Sequence, residues 1–367
     1  MIEMLRYFLY LGLTGFGGPL VVIPQMREHF CDKHGKLNHH EFDQAFALIK
    51  AMPGTIAFQM AVFLGRRFHG AGGGFAAGFG YVFPSFLMMV VFGIFYDSFA
   101  HSPHVQIVLA GFLFAAAAII LMSLKSMVVS NSRYAIFWAF LAISVGLVWF
   151  DVLPEPALIF GFGLLAVLSE KFAGKMYMFS VAFFVVDWPR VAQLFKTCLY
   201  AGAVVFGTGY ALIPVLKSSL VELHGLVTLQ QFSDGVVFGQ MTPGPIVISA
   251  TFFGYQISGI AGALAGTIAV FLPPFFHMMT WFPMAMGWMS RQKWINQFLI
   301  GATAAVVGSI LVTVVRMVEK SFYLPMFWIL FFATMLILFK KPKTPIMLIF
   351  LLAGFANLLF AFALGAI

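Results

Sequence analysis

Two Pro-Gly steps interrupt hydrophobic stretches of this chain, and they offer the clearest chemistry in the sequence. Met52-Pro53-Gly54-Thr55 in the first half corresponds to Thr242-Pro243-Gly244-Pro245 in the second. Proline has no N–H and clashes with the preceding helical turn, so one helix ends before it and another can begin there. The amides that follow then lack helical partners and lie at a positive dipole end, which suits an anion. The alternative is a simple proline kink.

Polar side chains close to the two steps could complete an anion site. Lys50 lies three positions before the first proline, in an apolar stretch where a charge is costly and usually functional. Its counterpart in the second half is the neutral donor Gln240. We predict that both contact a bound anion, with Gln59 and Thr242 as supporting donors. The alternative for Lys50 is snorkelling to the membrane surface or pairing with Asp43.

Glycine clusters lie upstream of each step, inside segments that are otherwise long enough to span a membrane. Glycine permits unusual backbone conformations and close helix approach, so these clusters either line a substrate path or pack helices tightly. Thr14, Thr208 and Tyr210 could add hydroxyl donors nearby. The complete set of predicted substrate-binding residues is Gly17, Gly18, Lys50, Pro53, Gly54, Thr55, Gln59, Thr208, Gly209, Tyr210, Gln240, Thr242, Pro243 and Gly244.

Composition predicts that the elements positioning these residues are membrane helices. The chain is 62% hydrophobic and 9% charged, too few charges to cover a soluble surface. Apolar runs of roughly 17–25 residues, the length needed to cross a bilayer, recur throughout. We predict an all-α polytopic protein with segments near 4–23, 42–68, 72–97, 105–129, 134–150, 155–169, 192–214, 230–257, 260–285, 296–316, 324–339 and 345–365. No cleavable signal peptide is predicted, so the first helix is expected to stay as an anchor.

Loop charges predict that the two halves face opposite ways across the membrane. Arg66 and Arg67 follow the second helix of the first half, and the matching loop 257–262 carries no charge. Two further loop comparisons also reverse in sign, whereas a fourth is ambiguous. We therefore predict inverted-topology repeats with broken helices and about thirteen crossings. The repeats would span 1–175 and 191–367, with 176–190 as a linking membrane segment.

Other features of the sequence argue against enzymatic chemistry. The net charge of +8 is spread among loops, which is typical of membrane orientation rather than of a nucleic-acid partner. The polar loop from Cys31 to Glu41 matches no zinc spacing, and no motif predicts a metal or another cofactor. Asp43 and Asp234 lie near predicted helix starts, and we interpret them as helix-dipole partners rather than proton carriers.

The order of these motifs resembles the chromate ion transporters of the long-chain, two-repeat type. The second half gives Phe206-Gly-Thr-Gly-Tyr-Ala-Leu-Ile-Pro214, the Pro243 step and Phe271-Leu-Pro273. The first half gives Leu13-Thr-Gly-Phe-Gly-Gly-Pro19, the Pro53 step and Val82-Phe-Pro84. Lys50 stands where the family pattern has Gln, and Thr55 where it has a second proline.

This resemblance implies a multi-pass inner-membrane exporter of chromate, with sulfate as the natural look-alike. The expected partners are a small inorganic oxyanion and the lipid bilayer, and the sequence leaves open whether the chain forms a homodimer. Three alternatives stay open: a carrier of the same fold for sulfate or another anion, a membrane channel, and a membrane-embedded enzyme. An enzyme would need an acidic or metal-ligating cluster at bilayer depth, which the sequence does not contain.

Overall fold

The computed structural model of the chain describes residues 1–16, 18–33, 35, 37–50, 52–100, 102–169, 190–204, 209–289, 291–342 and 344–364. Its regular secondary structure is entirely helical over these residues. The first half contains α1 Ile2–Thr14, α2 Pro19–Arg27, a π-helical segment Glu28–Lys33, α3 His39–Ile49, α4 Ile56–Phe99, α5 Pro103–Asn131, α6 Ala135–Trp149 and α7 Glu155–Ser169. The second half contains α8 Arg190–Val204, α9 Leu212–Lys217, a π-helical segment Ser218–Leu223, α10 Leu229–Met241, a 3-10 turn Ile246–Ile248, α11 Ser249–Met279, α12 Phe282–Met289, α13 Lys293–Val318, a 3-10 turn Glu319–Ser321, α14 Pro325–Lys340 and α15 Ile346–Ala363.

The helix that precedes each break is capped by its own sequence. Asn38 accepts from the His40 amide at the start of α3. At the start of α10, Thr228 and Gln231 form a capping box in which each side chain bonds the other residue's backbone amide. These caps satisfy amides that would otherwise lack partners at the first turn. Both helices therefore begin at fixed positions and approach their breaks in a defined register.

Two long helices, α4 and α11, each fold back on themselves at a glycine. The kinks lie at His69-Gly70 and at Ser258-Gly259, where the glycines have φ of +62° and +58°. Gly65 then packs directly against Gly73 across the first kink. The absence of side chains lets the two legs approach at van der Waals distance, as small residues do in membrane helix pairs. The boundaries predicted near 68–72 and 257–260 fall at these kinks.

The two halves repeat the same unusual backbone features. Eight glycines with positive φ occur among the described residues, and they form four pairs at matching places in the two halves. The pairs are Gly18 with Gly209, Gly35 with Gly225, Gly54 with Gly244, and Gly70 with Gly259. The two π-helical segments also match. The duplication read from the sequence is therefore present in the backbone.

The halves exchange their last helices. In the first half, α5 packs against α14 and α15 of the second half, and α13 packs reciprocally against α6 and α7. Asn357 Nδ2 donates to the Ile107 carbonyl at 2.7 Å, and Ser144 Oγ donates to the Ala305 carbonyl at 3.0 Å. Interhelical hydrogen bonds of this kind join helices within a membrane. The two repeats consequently form one intertwined body rather than two adjacent ones.

Five helical spans are long and apolar enough to cross a membrane: Ile56–Phe99, Pro103–Asn131, Ile246–Met279, Trp294–Ser321 and Ile346–Ala363. Three shorter apolar helices, α6, α7 and α14, accompany them. The polytopic helical class is thus confirmed, whereas the count of about thirteen crossings stays a prediction. The predicted linking segment, 176–190, lies outside the described residues apart from Arg190.

Candidate functional site

Both Pro-Gly steps break the helix, as predicted. In the first half α3 ends at Ile49 and α4 begins at Ile56, with Gly54 at φ +115° between them. In the second half α10 ends at Met241 and a 3-10 turn begins at Ile246, with Gly244 at φ +99°. Side chains other than hydrogen strongly disfavour this backbone region, which explains why glycine follows each proline. Each break thus leaves the first backbone amides of the new helical segment without partners inside that segment.

The break of each half packs against the long helix of the other half. A Cβ on Gly54 would collide with Pro274 of α11, and a Cβ on Gly244 would collide with Ser85 of α4. Ser85 Oγ donates to the Pro243 carbonyl. Ser85 and Pro274 occupy matching places, each directly after the residue that ends the Val82-Phe-Pro or Phe271-Leu-Pro motif. The arrangement is therefore reciprocal, and each break is held by the opposite half.

Gly18 and Gly209, which lie upstream of the breaks in the sequence, pack against the breaks where the two halves meet. A Cβ built on Gly18 would lie 3.6 Å from Ile246 Cδ1 of the second break. A Cβ built on Gly209 would lie 3.3 Å from Val247 Cγ1 and 3.6 Å from Thr55 Cγ2. Gly209 therefore touches residues of both breaks at once. Gly17 and Thr208, also predicted for the site, lie outside the described residues.

Several polar side chains buried around the breaks have no hydrogen-bond partner among the residues that the structure describes. Gln240 is 4% exposed, and neither its amide oxygen nor its amide nitrogen is hydrogen-bonded. The Thr55 Oγ1, Gln59 Oε1 and Tyr81 hydroxyl atoms are buried and unpartnered as well. Leaving such a group without a partner costs about 1–3 kcal/mol, so native proteins seldom do it without reason. Polar atoms in this state are suited to binding a polar ligand.

Other predicted donors are engaged within the protein. Gln59 Nε2 donates to the Pro53 carbonyl at 2.7 Å, so only its oxygen is unpartnered. Thr242 Oγ1 donates to the Gly239 carbonyl at 3.2 Å. The Gly244 amide, predicted as an anion donor, instead donates to the Gly15 carbonyl at 3.2 Å. In this conformation the second break therefore offers the Gln240 side chain rather than the Gly244 N–H.

The structure does not bring Lys50 together with the buried residues. Lys50 is exposed at the end of α3, and its Nζ lies 4.1 Å from the centre of the Phe46 ring. The alternative partner considered from the sequence, Asp43, pairs with Arg27 at 2.9 Å. Lys50 thus stands beside the first break at the surface of the protein. Tyr210, the last predicted donor, is buried next to Gly209.

Sequence reasoning missed two residues of this site, Ser85 and Tyr81. Both lie on the second leg of α4 and approach Gly244 from the other half of the chain. The one sequence feature that could have indicated them is their place beside the Val82-Phe-Pro motif. This motif identifies the second leg of α4 but does not predict that the leg contacts Gly244. The contact joins positions more than 150 residues apart, so local pattern could not predict it.

A separate cavity of about 880 Å³ lies between the halves and is lined by charged groups. Asp151 of the α6–α7 loop receives two hydrogen bonds from Arg316 of α13, at 2.9 and 2.8 Å. These bonds hold the pKa of Asp151 below its usual value. Lys217 is paired with Glu222 beside them. Two acidic residues that line the cavity, Asp151 and Glu222, are therefore paired with cations. No group of three metal-ligating side chains occurs among the residues that the structure describes.

Together these features define a polytopic helical membrane protein whose two halves hold each other's helix breaks. The chain belongs to the chromate transporter family, because the family's sequence model matches it in two segments, residues 2–167 and 192–358. Members of this family are transporters rather than enzymes. The resemblance read from the motifs is confirmed.

Relatives whose names refer to chromate transport align with most of the chain. The chromate transport protein of Cupriavidus metallidurans is 30% identical over 339 residues, which cover 87% of this chain and 83% of that protein. The probable chromate transport protein of Synechococcus elongatus is 29% identical over 377 residues, which cover 98% of this chain and 95% of that protein. The chromate transport protein of Pseudomonas aeruginosa is 27% identical over 341 residues, which cover 86% of this chain and 81% of that protein. No solved structure matches the chain.

Proposed function

We propose that the chain is a secondary carrier that exports chromate, a tetrahedral oxyanion, across the inner membrane. The observation that carries this proposal is the pair of reciprocal helix breaks, each with a buried side-chain donor that has no partner among the described residues: Thr55 Oγ1 at the first break and Gln240 Nε2 at the second. Discontinuous helices with free polar groups are the usual substrate sites of secondary transporters. The names of the three relatives support chromate as the substrate.

In the proposed site, the Gln240 amide and the amides after Gly54 bind the oxyanion from opposite halves. Thr55 Oγ1 adds a hydroxyl donor, and its neighbour Gly209 lets the anion approach the backbone. Neutral donors at a helix start can hold an anion without a permanent positive charge in the membrane. Alternating access then consists of rocking one half against the other around the breaks, with the repeats oppositely oriented as the loop charges predict.

Export needs no chemical fuel in this scheme. A dianion that leaves a cell with a negative interior gains about 4–5 kcal/mol per 100 mV, at about 2.3 kcal/mol per charge. The membrane potential alone would therefore favour outward movement of chromate over uptake. The same argument holds for sulfate, so energetics do not select between the two anions.

The proposal is tested by transport of radiolabelled chromate in liposomes that contain the purified protein. We expect saturable uptake and chromate–chromate counterflow, both reduced by competing sulfate. Transport of sulfate with neither transport of nor competition by chromate would reassign the carrier to the alternative substrate. Flux that does not saturate and shows no counterflow would instead indicate a channel.

We further propose that Lys50 attracts the dianion to the first break from the aqueous side. Lys50→Gln is then expected to raise the KM for chromate by about 10-fold at low salt with little change in Vmax. The reason is that a surface charge increases the rate at which the anion reaches the protein and not the rate of the later steps. The effect should shrink at 0.5 M salt, where the charge is screened over a few ångströms. KM measurements at two ionic strengths check this.

The matched control for Lys50 is Lys320→Gln, since Lys320 is also exposed but lies in the 3-10 turn Glu319–Ser321 that follows α13. It should leave KM unchanged at both salt concentrations. An equal KM for the Lys50→Gln and wild-type proteins at low salt would remove Lys50 from the transport path.

A further inference from the structure

Asp234 is a buried carboxylate outside the proposed oxyanion site. It lies on α10, two turns before the second break, and is 1% exposed. Its Oδ2 accepts a hydrogen bond from the Tyr96 hydroxyl of α4 at 2.7 Å. Gln230 Nε2 donates to both carboxyl oxygens, at 3.0 and 3.1 Å. The rings of Phe238 and Phe252 pack against the Tyr96 ring, so the surroundings of this hydrogen bond are apolar. Both donors to Asp234 are therefore neutral.

No cation compensates Asp234 among the ion pairs of the described residues. The helices packed against α10 are α4, α5, α9, α11 and α15, and of their described titratable groups Tyr96 alone hydrogen-bonds to Asp234. Asp97, next to Tyr96, adds a negative charge. The remaining groups lie elsewhere: Arg66 at the Met278 carbonyl, Arg67 at Glu41, His69 at the α4 kink, Tyr81 beside Gly12, His104 at Phe362, Lys125 at Phe339, Lys217 at Glu222, Tyr255 at Gly93 and His277 at Trp281.

An ionised carboxylate in such surroundings is unfavourable. Burial without a cation costs several kcal/mol even after relaxation, and a carboxyl group avoids this by binding a proton. The helix dipole does not remove the cost, because the α10 amides are already capped by Thr228 and Gln231. The matching position in the first half is Gln44, which cannot titrate. Asp234 is thus a titratable group present in one half only.

Asp234 lies between one end of α4 and the second break. Gln230 lies in the first turn of α10, and Tyr96 lies one turn before the end of α4 beside the exposed Asp97. A modest opening at this end would admit water to the carboxyl group. The Tyr96 bond joins the two halves, and α10 runs directly into the break at Thr242. A change of charge on Asp234 would therefore act on the interface that has to move.

We propose that Asp234 is a proton-binding site that couples oxyanion transport to a proton, an inference that rests on the proposed carrier function. In one conformation the carboxylate takes a proton from hydronium, forming neutral carboxylic acid and water, and the halves close around it. In the opposite conformation the same proton returns to water on the other side. This replaces our interpretation of Asp234 as a dipole partner.

The test uses the full-length protein in liposomes, with the membrane potential clamped at zero and radiolabelled chromate as the probe. Wild-type protein is expected to accumulate chromate when a pH difference is imposed, up to about 10-fold per pH unit for one coupled proton. Asp234→Asn still exchanges chromate for chromate but loses accumulation driven by the pH difference. Asp43→Asn is the matched control, since Asp43 lies on the equivalent helix but is exposed and paired with Arg27.

The outcomes separate the two proposals. If the wild-type protein does not exchange chromate, the carrier function fails. If it exchanges chromate but ignores the pH difference, or if Asp234→Asn still accumulates chromate like wild type, proton coupling at Asp234 is overturned.

Should Asp234→Asn not fold, Tyr96→Phe replaces it. This variant keeps the Asp234 carboxyl group but loses one hydrogen-bond donor to its charged form. Accumulation of chromate must therefore persist, and its pH dependence must move to higher pH. An unmoved pH profile in Tyr96→Phe contradicts the assignment.

Discussion

Gly244→Ala is expected to reduce chromate transport by about 100-fold while the protein still inserts into the membrane. An alanine at φ +99° costs about 1–3 kcal/mol, because residues with a Cβ rarely adopt this backbone conformation. Its Cβ would also displace Ser85, which holds the Pro243 carbonyl. Moving a binding group by about 1 Å can cost about 100-fold at catalytic sites, and we expect a similar loss here. Counterflow of labelled chromate measures it.

The control for this prediction is Gly259→Ala, at the kink of α11. Gly259 also has a positive φ, +58°, which alanine rarely adopts, but no described residue lies within 4 Å of its Cβ position. This variant should lose some thermal stability and retain most of its transport. Equal loss of transport in both variants would mean that backbone strain alone, rather than contact between the halves at Ser85, explains the effect.

Local sequence rules predicted the backbone of the site well. The proline-glycine pairs end helices wherever they occur, so the breaks at Pro53 and Pro243 followed from chemistry that involves only neighbouring residues. The segment boundaries predicted near 68–72 and 257–260 likewise fall at the kinks of α4 and α11. Matching residues in the two halves made both predictions stronger, because an accidental kink has no reason to recur.

Contacts between the halves could not be predicted in this way. The Gly244 amide was expected to be free, yet it bonds the Gly15 carbonyl, a contact that depends on how the two repeats dock. Lys50 was expected at the site because of its short sequence distance from Pro53, but the end of α3 points it outward over Phe46. The number of residues between a side chain and a helix break determines its position along the helix axis. The direction in which the side chain points depends on the packing of neighbouring helices.

The burial of Asp234 illustrates the same limit. Its sequence context, six residues after a capping threonine, resembles that of Asp43, and no local sequence feature distinguishes the two residues. In the structure Asp43 lies at the surface with Arg27, whereas Asp234 faces the end of α4 from the other half. Tertiary packing alone separates a surface ion pair from a buried acid.

Gln240→Leu is expected to stabilise the protein and to disable it. The Gln240 amide is buried and unpartnered, so replacing it by an apolar side chain of similar size removes a cost of about 1–3 kcal/mol and raises the unfolding temperature. The oxyanion loses a donor at the same time. Hydrogen bonds to charged groups contribute about 1.5–3 kcal/mol, so transport should fall by about 10- to 100-fold. Thermal unfolding and chromate counterflow on the same preparation measure both effects.

Two further variants separate the ligand role of Gln240 from a general effect of buried polar atoms. Ser309→Ala on α13 also removes a buried, unpartnered oxygen, and it should match wild-type transport with equal or greater stability. Gln59→Leu removes the hydrogen bond to the Pro53 carbonyl, so it should lower stability and transport together. Opposite changes in stability and transport are thus expected only for Gln240, because its polar atoms serve the anion and no protein group. A Gln240→Leu protein that transports chromate at the wild-type rate would show that the anion binds elsewhere.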